Sequence, residues 1–224
     1  MSPGVGVMAS GHRTVGGGPT ASVVEVQTGT VTASTTSTFN LSTTLLSTDI
    51  VLFTTSRTTL ATPSYSGLGG ASWTVAFSGA ANTRAYSAYA SGVTGSGQSV
   101  SVTAGAADMG ACVQVIRGTP SGAVTEQHST WSATTTAANT DEFTPSQSFV
   151  LDQVAVMIVS GTTSGSYTVP SNPTPSSGWT TDYARATAPS LYVAHAIGAS
   201  TGTVIGGARN TSTIAFGVAV VVLG

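Results

Sequence analysis

The second part of this chain repeats the first. Three pairs of residues are each separated by the same 106 positions, namely Trp73 and Trp179, Tyr86 and Tyr192, and Gly118 and Gly224. Asp49 and Asp152, which each come shortly before an apolar run, form a looser fourth pair. The chain is therefore predicted to contain two half-units, at about 24–118 and 124–224, and any fold proposed for it must use the same unit twice.

Short apolar or alternating runs, separated by Gly, Pro, Asn and Ser clusters, predict β-strands. The predicted strands are 22–31, 50–54, 73–77, 84–90, 100–102 and 109–117 in the first half-unit, and 150–159, 179–183, 191–197, 204–205 and 214–223 in the second. No window shows helical periodicity, so essentially no helix is predicted. The sequence thus predicts an all-β protein.

Two arrangements of the half-units are compatible with this pattern. One is a single two-sheet jelly-roll sandwich over 21–224, in which the halves cover each other. The other is two tandem sandwiches of about 100 residues each. The join at 118–122 is a tight turn, and Ile214–Leu223 is apolar throughout, as in a central strand covered on both faces. We therefore favour the single jelly roll.

Composition excludes several classes of protein. Only 6% of residues are charged, there is no lysine, and the net charge is −2, so no nucleic-acid partner is expected. Cys112 is the only cysteine, which excludes an intramolecular disulfide. No secretory signal is visible, and Ile214–Leu223 is too short for a membrane helix. Residues 1–20 are Gly-rich and predict an extended N-terminal arm that docks on another subunit.

Several motifs resemble those of a known family. The first copy reads Asp49-Ile50-Val51-Leu52, Pro63-Ser64, Ser72-Trp73-Thr74, Ala85-Tyr86 and Val113 to Gly118, and the second contains Pro175-Ser176-Ser177-Gly178-Trp179. This series resembles the jelly-roll-like β-sandwich proteins of virion surfaces, minor tail components and capsid decorations in tailed actinobacteriophages. The first copy differs by an interruption at 65–71, and an isoleucine stands where the family has tyrosine before Arg117-Gly118.

The resemblance implies a structural virion protein, a minor tail or capsid-decorating component, and no enzyme. It implies no catalytic residue, cofactor or metal. We expect the chain to be made in the host cytoplasm without a signal peptide and to reside in the virion. Expected partners are other virion proteins and further copies of the chain, with a trimer suggested by analogy, and a host cell-surface glycan.

The residues that could carry catalysis have simpler interpretations. Gly198 to Gly202 matches the G-x-S-x-G pattern, but that motif requires a strand-to-helix elbow, and a hairpin turn is expected here. Asp49 and Asp152 could form a hydrolase pair, but their repetition favours carboxylates that fix turns. His12, His128 and His195 have no metal-ligand spacing, and His195 replaces Tyr89 of the first half-unit.

Two aromatic residues are candidate surface contacts. Trp131 has no aromatic counterpart, since Val31 is opposite it in the repeat, and Tyr65 lies in the interruption of the first copy. Amphipathic rings of this kind stack on sugars in binding faces. The alternative to a structural protein is therefore a carbohydrate-binding or adhesion module that uses Trp131 or Tyr65.

Overall fold

The fold is taken from a computed structural model of the chain. It describes residues 21–56, 63–78, 85–105, 108–119, 124–132, 140–143, 153–161, 167–168, 179–197, 206–210 and 216–224. For 124–132, 140–143, 167–168, 206–210 and 216–219 the description covers the backbone. The predicted arm at 1–20 and Asp152 lie outside these residues.

The described residues form sixteen strands, eight in each half. The first half contains β1 (Ser22–Val31), β2 (Thr36–Asn40), β3 (Ile50–Ser56), β4 (Ser64–Gly67), β5 (Thr74–Ser78), β6 (Ala85–Ser91), β7 (Ser99–Thr103) and β8 (Met109–Arg117). The second contains β9 (Val124–Ser132), β10 (Thr140–Phe143), β11 (Val154–Gly161), β12 (Tyr167–Thr168), β13 (Thr180–Arg185), β14 (Ser190–Ile197), β15 (Gly206–Asn210) and β16 (Phe216–Leu223). A single 3-10 turn, Leu68–Gly70, is the only helical element among the described residues.

Each half builds its own pair of antiparallel sheets with the same strand order. The five-stranded sheets run β1-β8-β3-β6-β5 and β9-β16-β11-β14-β13, and the three-stranded sheets run β2-β7-β4 and β10-β15-β12. The all-β class predicted from the sequence is therefore confirmed. The described strands form four sheets where two were expected, because strands pair within a half and not between halves. Jelly-roll connectivity stays a prediction.

The cores explain why the central strands are apolar on both faces. In β8, Val113 and Val115 pack with Val100 and Phe39 of the three-stranded sheet. The alternate residues of β8 point the other way, towards the second half. The run Ile214–Leu223 was correctly predicted to include a central strand that is covered on both faces. One face of that strand packs in the core of its own half, and the other packs against the first half.

The two halves pack through their five-stranded sheets. Ile50, Leu52 and Ile116 of the first half share one apolar cluster with Val156 and Leu191 of the second. The contacts are reciprocal, since β8 contacts β13 while β16 contacts β5. Reciprocal contact of this kind is what two copies of one unit make in an isologous dimer.

A glycine allows the close approach of the halves at one point. A Cβ on Gly110 of β8 would stand 3.0 Å from Cδ of Arg185 and 3.3 Å from Cβ of Leu191, both in the second half. Ser56 Oγ lies beside it, accepts a hydrogen bond from the Gly110 N–H at 3.0 Å and donates to the Pro189 carbonyl at 3.2 Å. The absence of a side chain at Gly110 thus lets β8 and β14 meet.

The strand pairing shows that two of the residue matches made from the sequence are each shifted by one position. Ile50 begins β3 and pairs with Ile116, and its counterpart Val154 begins β11 and pairs with Leu223. By this pairing, Asp49 of the first half corresponds to Gln153 of the second, and Arg117 corresponds to Gly224. The sequence matched Asp49 with Asp152 and Gly118 with Gly224 because loops of different length separate the strands.

The described residues also bear on membrane insertion. No helix among them is long and apolar enough to cross a membrane.

Candidate functional site

A bulge on an edge strand directs a carboxylate into the contact between the halves. In the pairing of β13 with β14, Thr181 is opposite Ala194 and Tyr183 is opposite Val193, so Asp182 is the extra residue. Bulges commonly redirect a side chain. Here the redirected side chain is that of Asp182, which reaches across to the first half.

The Asp182 carboxylate has one partner in each half. His195 Nδ1 lies 2.9 Å from Oδ1 and 2.8 Å from Oδ2, and Gln114 Nε2 of β8 donates to Oδ2 at 2.7 Å. Because a carboxylate only accepts hydrogen bonds, Nδ1 of His195 carries a proton here. Nearby, the Tyr183 hydroxyl donates to the Gly29 carbonyl of β1 at 3.0 Å. We call Gln114, Asp182, Tyr183 and His195 the polar end of the interface.

The polar end is almost completely shielded from water. The side chain of Asp182 is 4% exposed and that of His195 is 13% exposed, while Gln114 is fully buried. Oε1 of Gln114 is buried and has no hydrogen-bond partner among the described residues. Such groups interact strongly in a medium of low polarity, and each unmatched one is costly.

Cys112 lies on the same face of β8 as Gln114 and is fully buried. Burial raises the pKa of its thiol well above the ordinary value, and the negative charge of Asp182 acts in the same direction. A thiol held in its protonated form is a poor nucleophile. Cys112 is therefore a small core residue, as the sequence predicted.

The polar end has the base and the orienting carboxylate of a hydrolase triad, but not the rest. A triad also needs a hydroxyl or thiol within hydrogen-bond reach of the other imidazole nitrogen. Within the described part of the chain, His195 makes side-chain hydrogen bonds only to Asp182. No group of three His, Cys, Asp or Glu side chains that could hold a metal occurs among those residues either. Among the described residues, the polar end forms a hydrogen-bonded connection between the halves.

The same backbone site in the other half carries no charge. Ala76 is the extra residue of a bulge between Val75 and Phe77 of β5, as Asp182 is in β13. By strand pairing, Val221, Ala76, Phe77 and Tyr89 correspond to Gln114, Asp182, Tyr183 and His195. All four belong to or pack against the apolar cluster between the halves. We call them the apolar end.

Asp49 is buried and forms an ion pair with Arg117, whose side chain is 31% exposed. Arg117 Nε donates to Oδ1 at 2.8 Å and Nη2 to Oδ2 at 2.7 Å, and the Leu46 N–H also donates to Oδ2 at 2.9 Å. The hydrogen bonds to Asp49 raise the pKa of Arg117. A carboxylate held by three donors fixes the preceding turn, which is the structural interpretation that the sequence favoured.

The second half has no such ion pair at the equivalent place. Gln153 and Gly224 stand where the first half has Asp49 and Arg117, and a Cβ on Gly224 would lie 2.7 Å from Cγ of Gln153. The Gln153 side chain thus occupies the space that a side chain at 224 would need.

Of the matched aromatic residues, Trp73 and Trp179 directly precede β5 and β13. Trp73 packs against Phe53 and Tyr65, with ring centroids 6.5 and 5.5 Å away, and its buried Nε1 has no partner among the described residues. Trp179 packs against the corresponding core of the second half. Both tryptophans therefore contribute to the core of their own half.

The tyrosines of the repeat, Tyr86 and Tyr192, are buried at equivalent positions in β6 and β14. Burial raises the pKa of Tyr192, and its hydroxyl shares a hydrogen bond with Thr181 Oγ1 at 2.5 Å. Tyr86 stacks on Tyr65 with ring centroids 5.7 Å apart.

The two predicted surface aromatics differ in what the structure says of them. Tyr65 is half-buried in β4, with its ring 5.0 Å from Phe53 as well as stacked on Tyr86, so its contacts are those of a packing residue and not of an exposed platform. Trp131 lies in β9 and pairs with Gly217. In the first half the equivalent position is Thr30, and not Val31 as the sequence indicated. The structure describes only the backbone of Trp131.

An open cleft lies at one end of the first half. It encloses about 510 Å³ between the 3-10 turn and the neighbouring ends of β5 and β6, and its walls are Leu68, Gly69, Gly70, Ala71, Ser72, Thr74, Tyr89, Ser91, Gly92 and Val93. No charged side chain is among them. It is large enough for a small ligand, since ligand pockets span about 300–1,000 Å³.

No protein-family model, curated protein or solved structure matches the chain.

The polar end was not predicted from the sequence. A signal existed, because the spacing of 106 that matches the tryptophans places Asp182 opposite Ala76 and His195 opposite Tyr89. The sequence identified His195 only as the replacement of Tyr89; its side chain is 13% exposed and hydrogen-bonded to Asp182.

Proposed function

We propose that the chain is a structural protein on the exterior of a tailed-phage particle, a minor tail or capsid-decorating component that acts by assembly. The observation that carries the proposal is the outer face of the β2-β7-β4 sheet. That face presents hydroxyl and amide side chains and no charge, from Thr36, Thr38, Asn40, Ser64, Ser66, Ser99, Ser101 and Thr103.

These hydroxyls satisfy one another across the strands. Thr36 Oγ1 lies 2.8 Å from Thr103 Oγ1, and Thr38 Oγ1 lies 2.8 Å from Ser101 Oγ. A neutral face of short side chains loses little hydration energy and little side-chain entropy on contact, and it does not repel an identical face. This supports packing against a neighbouring virion protein or another copy of the chain, with a trimer as the expected oligomer.

The location can be tested directly. Phage particles released from cells that produce the chain are labelled with a gold-conjugated antibody against it and imaged by electron microscopy. We expect label on the outer surface of the head or tail. Unlabelled particles, with the chain left in the soluble cell fraction, would contradict the proposal.

The role of the hydroxyl face is tested by adding charge. Thr38→Glu places a carboxylate on this face, and Thr28→Glu places one on the exposed side of β1 as a matched control. We expect Thr38→Glu to lower the amount of chain per particle and Thr28→Glu to leave it unchanged. Equal incorporation of both variants would show that this face makes no contact in the particle.

A carbohydrate-binding module is the second candidate, and the cleft is the observation that favours it. The contacts of Tyr65 are with core rings, so a glycan site in the described part of the chain would use a different tyrosine.

A further inference from the structure

The cleft of the first half has polar groups that the fold itself does not use. The side chains of Ser72, Thr74 and Ser91 are exposed at its wall, and their hydroxyls make no hydrogen bond to another described residue. Each hydroxyl can donate one hydrogen bond and accept two. Three such groups around one concavity form a ready set of partners for a polar ligand.

Tyr89 is the aromatic residue among the described residues that line the cleft. Its side chain is half-buried and packs against the apolar cluster between the halves, which holds the ring in place. A ring anchored in this way loses little freedom when a ligand stacks on it.

Two glycines in the cleft wall adopt a left-handed backbone conformation. Gly70 and Gly92 have φ of 86° and 75°, and a Cβ on either would meet nothing within 4 Å. These are left-handed conformations that favour glycine, so the turns that shape the wall depend on them. The result is a concavity bounded by accessible main chain, hydroxyls and one aromatic ring.

We propose that this cleft binds a neutral saccharide unit. Sugar rings have apolar faces that stack on an aromatic side chain and a rim of hydroxyls that pair with serine and threonine. None of the described residues in the wall is charged, which disfavours phosphate, sulfate and uronic acids, since these need basic partners. The inference is independent of the particle location proposed above, since it concerns the isolated chain.

The test is saturation-transfer NMR on the purified chain with glucose, galactose, mannose, N-acetylglucosamine and their β-linked disaccharides, followed by calorimetric titration. Glucuronic acid serves as the anionic comparison. We expect at least one neutral sugar to bind with a millimolar Kd, and glucuronic acid to bind more weakly. Failure of every neutral sugar to show transfer, or stronger binding of the acid, would overturn the proposal.

A matched pair of variants locates the binding. Thr74→Trp fills the cleft, whereas Thr180→Trp makes the same change at the equivalent first residue of β13, outside the cleft wall. We expect Thr74→Trp to raise the Kd at least about tenfold, the equivalent of about 1.4 kcal/mol, and Thr180→Trp to leave it unchanged. Ser91→Trp, at the end of the adjacent strand β6, should reproduce the loss. If both cleft variants retain binding while folded by circular dichroism, the sugar binds elsewhere and the assignment is wrong.

Discussion

The polar and apolar ends of the interface occupy the same backbone site in the two halves, yet their chemistry is opposite. Both contain a bulge on an edge strand, paired in the same register with the neighbouring strand. One end buries a carboxylate with an imidazole and an amide, and the other buries alanine, valine and aromatic side chains. The way the halves pack therefore does not depend on the polar contacts, since the apolar end achieves it without them.

The comparison suggests a division of roles. The apolar strands common to both ends supply the attraction between the halves. Hydrogen-bonded charges at one end add little net stability but penalise any arrangement that leaves them unpaired. Substitutions that make one end resemble the other, or that remove their resemblance, test this division.

The largest effect is expected when a charge is placed in the apolar end. Ala76→Asp puts a carboxylate at a fully buried position within the apolar cluster. We expect the free energy of unfolding to fall by about 4 kcal/mol, because an unpaired buried charge is among the costliest single changes. Urea unfolding followed by tryptophan fluorescence measures this. Val75→Asp, next to it but 49% exposed, is the control and should cost less than about 1 kcal/mol.

Removing the carboxylate from the polar end should cost somewhat less. Asp182→Ala leaves the Gln114 amide without its acceptor and His195 without its partner. We expect a loss of about 3 kcal/mol in the free energy of unfolding, measured as for Ala76→Asp. A loss below about 1 kcal/mol would mean that water reaches these groups, contrary to their burial.

The polar end can also be converted into the apolar one. The triple variant Gln114→Val, Asp182→Ala and His195→Tyr introduces the residues that the other half has at these places. We expect its unfolding free energy to lie within about 1 kcal/mol of the original chain, because replacing a complete buried polar cluster with packed apolar groups is often neutral. If the triple variant is less stable than Asp182→Ala alone, the two ends are not equivalent.

A smaller effect is expected from one hydroxyl. Tyr183→Phe gives β13 the residue that β5 has at the equivalent place and removes the hydroxyl that bonds the Gly29 carbonyl and the Thr30 side chain. We expect a loss of about 1 kcal/mol, the usual net contribution of such a bond. An unchanged urea midpoint would show that this cross-half contact adds nothing.

The smallest effect is expected at Glu25, which lies outside the interface between the halves and contributes to the pH dependence of stability. Burial alone would raise the pKa of Glu25, but hydrogen bonds from the Ser42 and Thr43 backbone and the Gln27 side chain outweigh it and lower the pKa from 4.5 to about 2. Because the pKa is lowered by folding, the stabilisation is complete above about pH 4.5 and is lost as the pH falls towards 2.

Glu25→Gln should therefore destabilise the chain near neutral pH and not near pH 2. We expect a difference of about 0.5 kcal/mol at pH 7, because partial exposure to solvent screens the carboxylate, and almost none at pH 2. Urea unfolding of both proteins across this range measures the difference. A difference that is independent of pH would show that the carboxylate is not the stabilising group.

The sequence predicted strands with frequent apolar residues far better than polar ones. β1 and β8 were located with their bounds, and β3, β6 and β14 to within two residues, because their apolar residues are frequent and ordered. In the three-stranded sheet of the first half, β7 was located to within one residue, because valines alternate with serines in it. β2 and β4 were missed, since each has a single large apolar residue, Phe39 or Tyr65. β9 was missed in a five-stranded sheet, because its residues are mostly polar.

The pairing of the sheets and the polar end depended on information that a linear pattern does not contain. The repeat indicated two equal units but not whether strands pair within or between them. Asp182 appears in the sequence as one more residue of a polar strand, and only the bulge directs it towards Gln114, which is 68 residues away. The departure of both Asp182 and His195 from the repeat was the available sign.

The two halves share one buried core across their five-stranded sheets. Differential scanning calorimetry of the original chain and of Asp182→Ala shows whether the halves unfold together. We expect one transition, with calorimetric and van't Hoff enthalpies that agree, and a shift of that whole transition to lower temperature in the variant. Two separate transitions, of which only one moves in the variant, would contradict it.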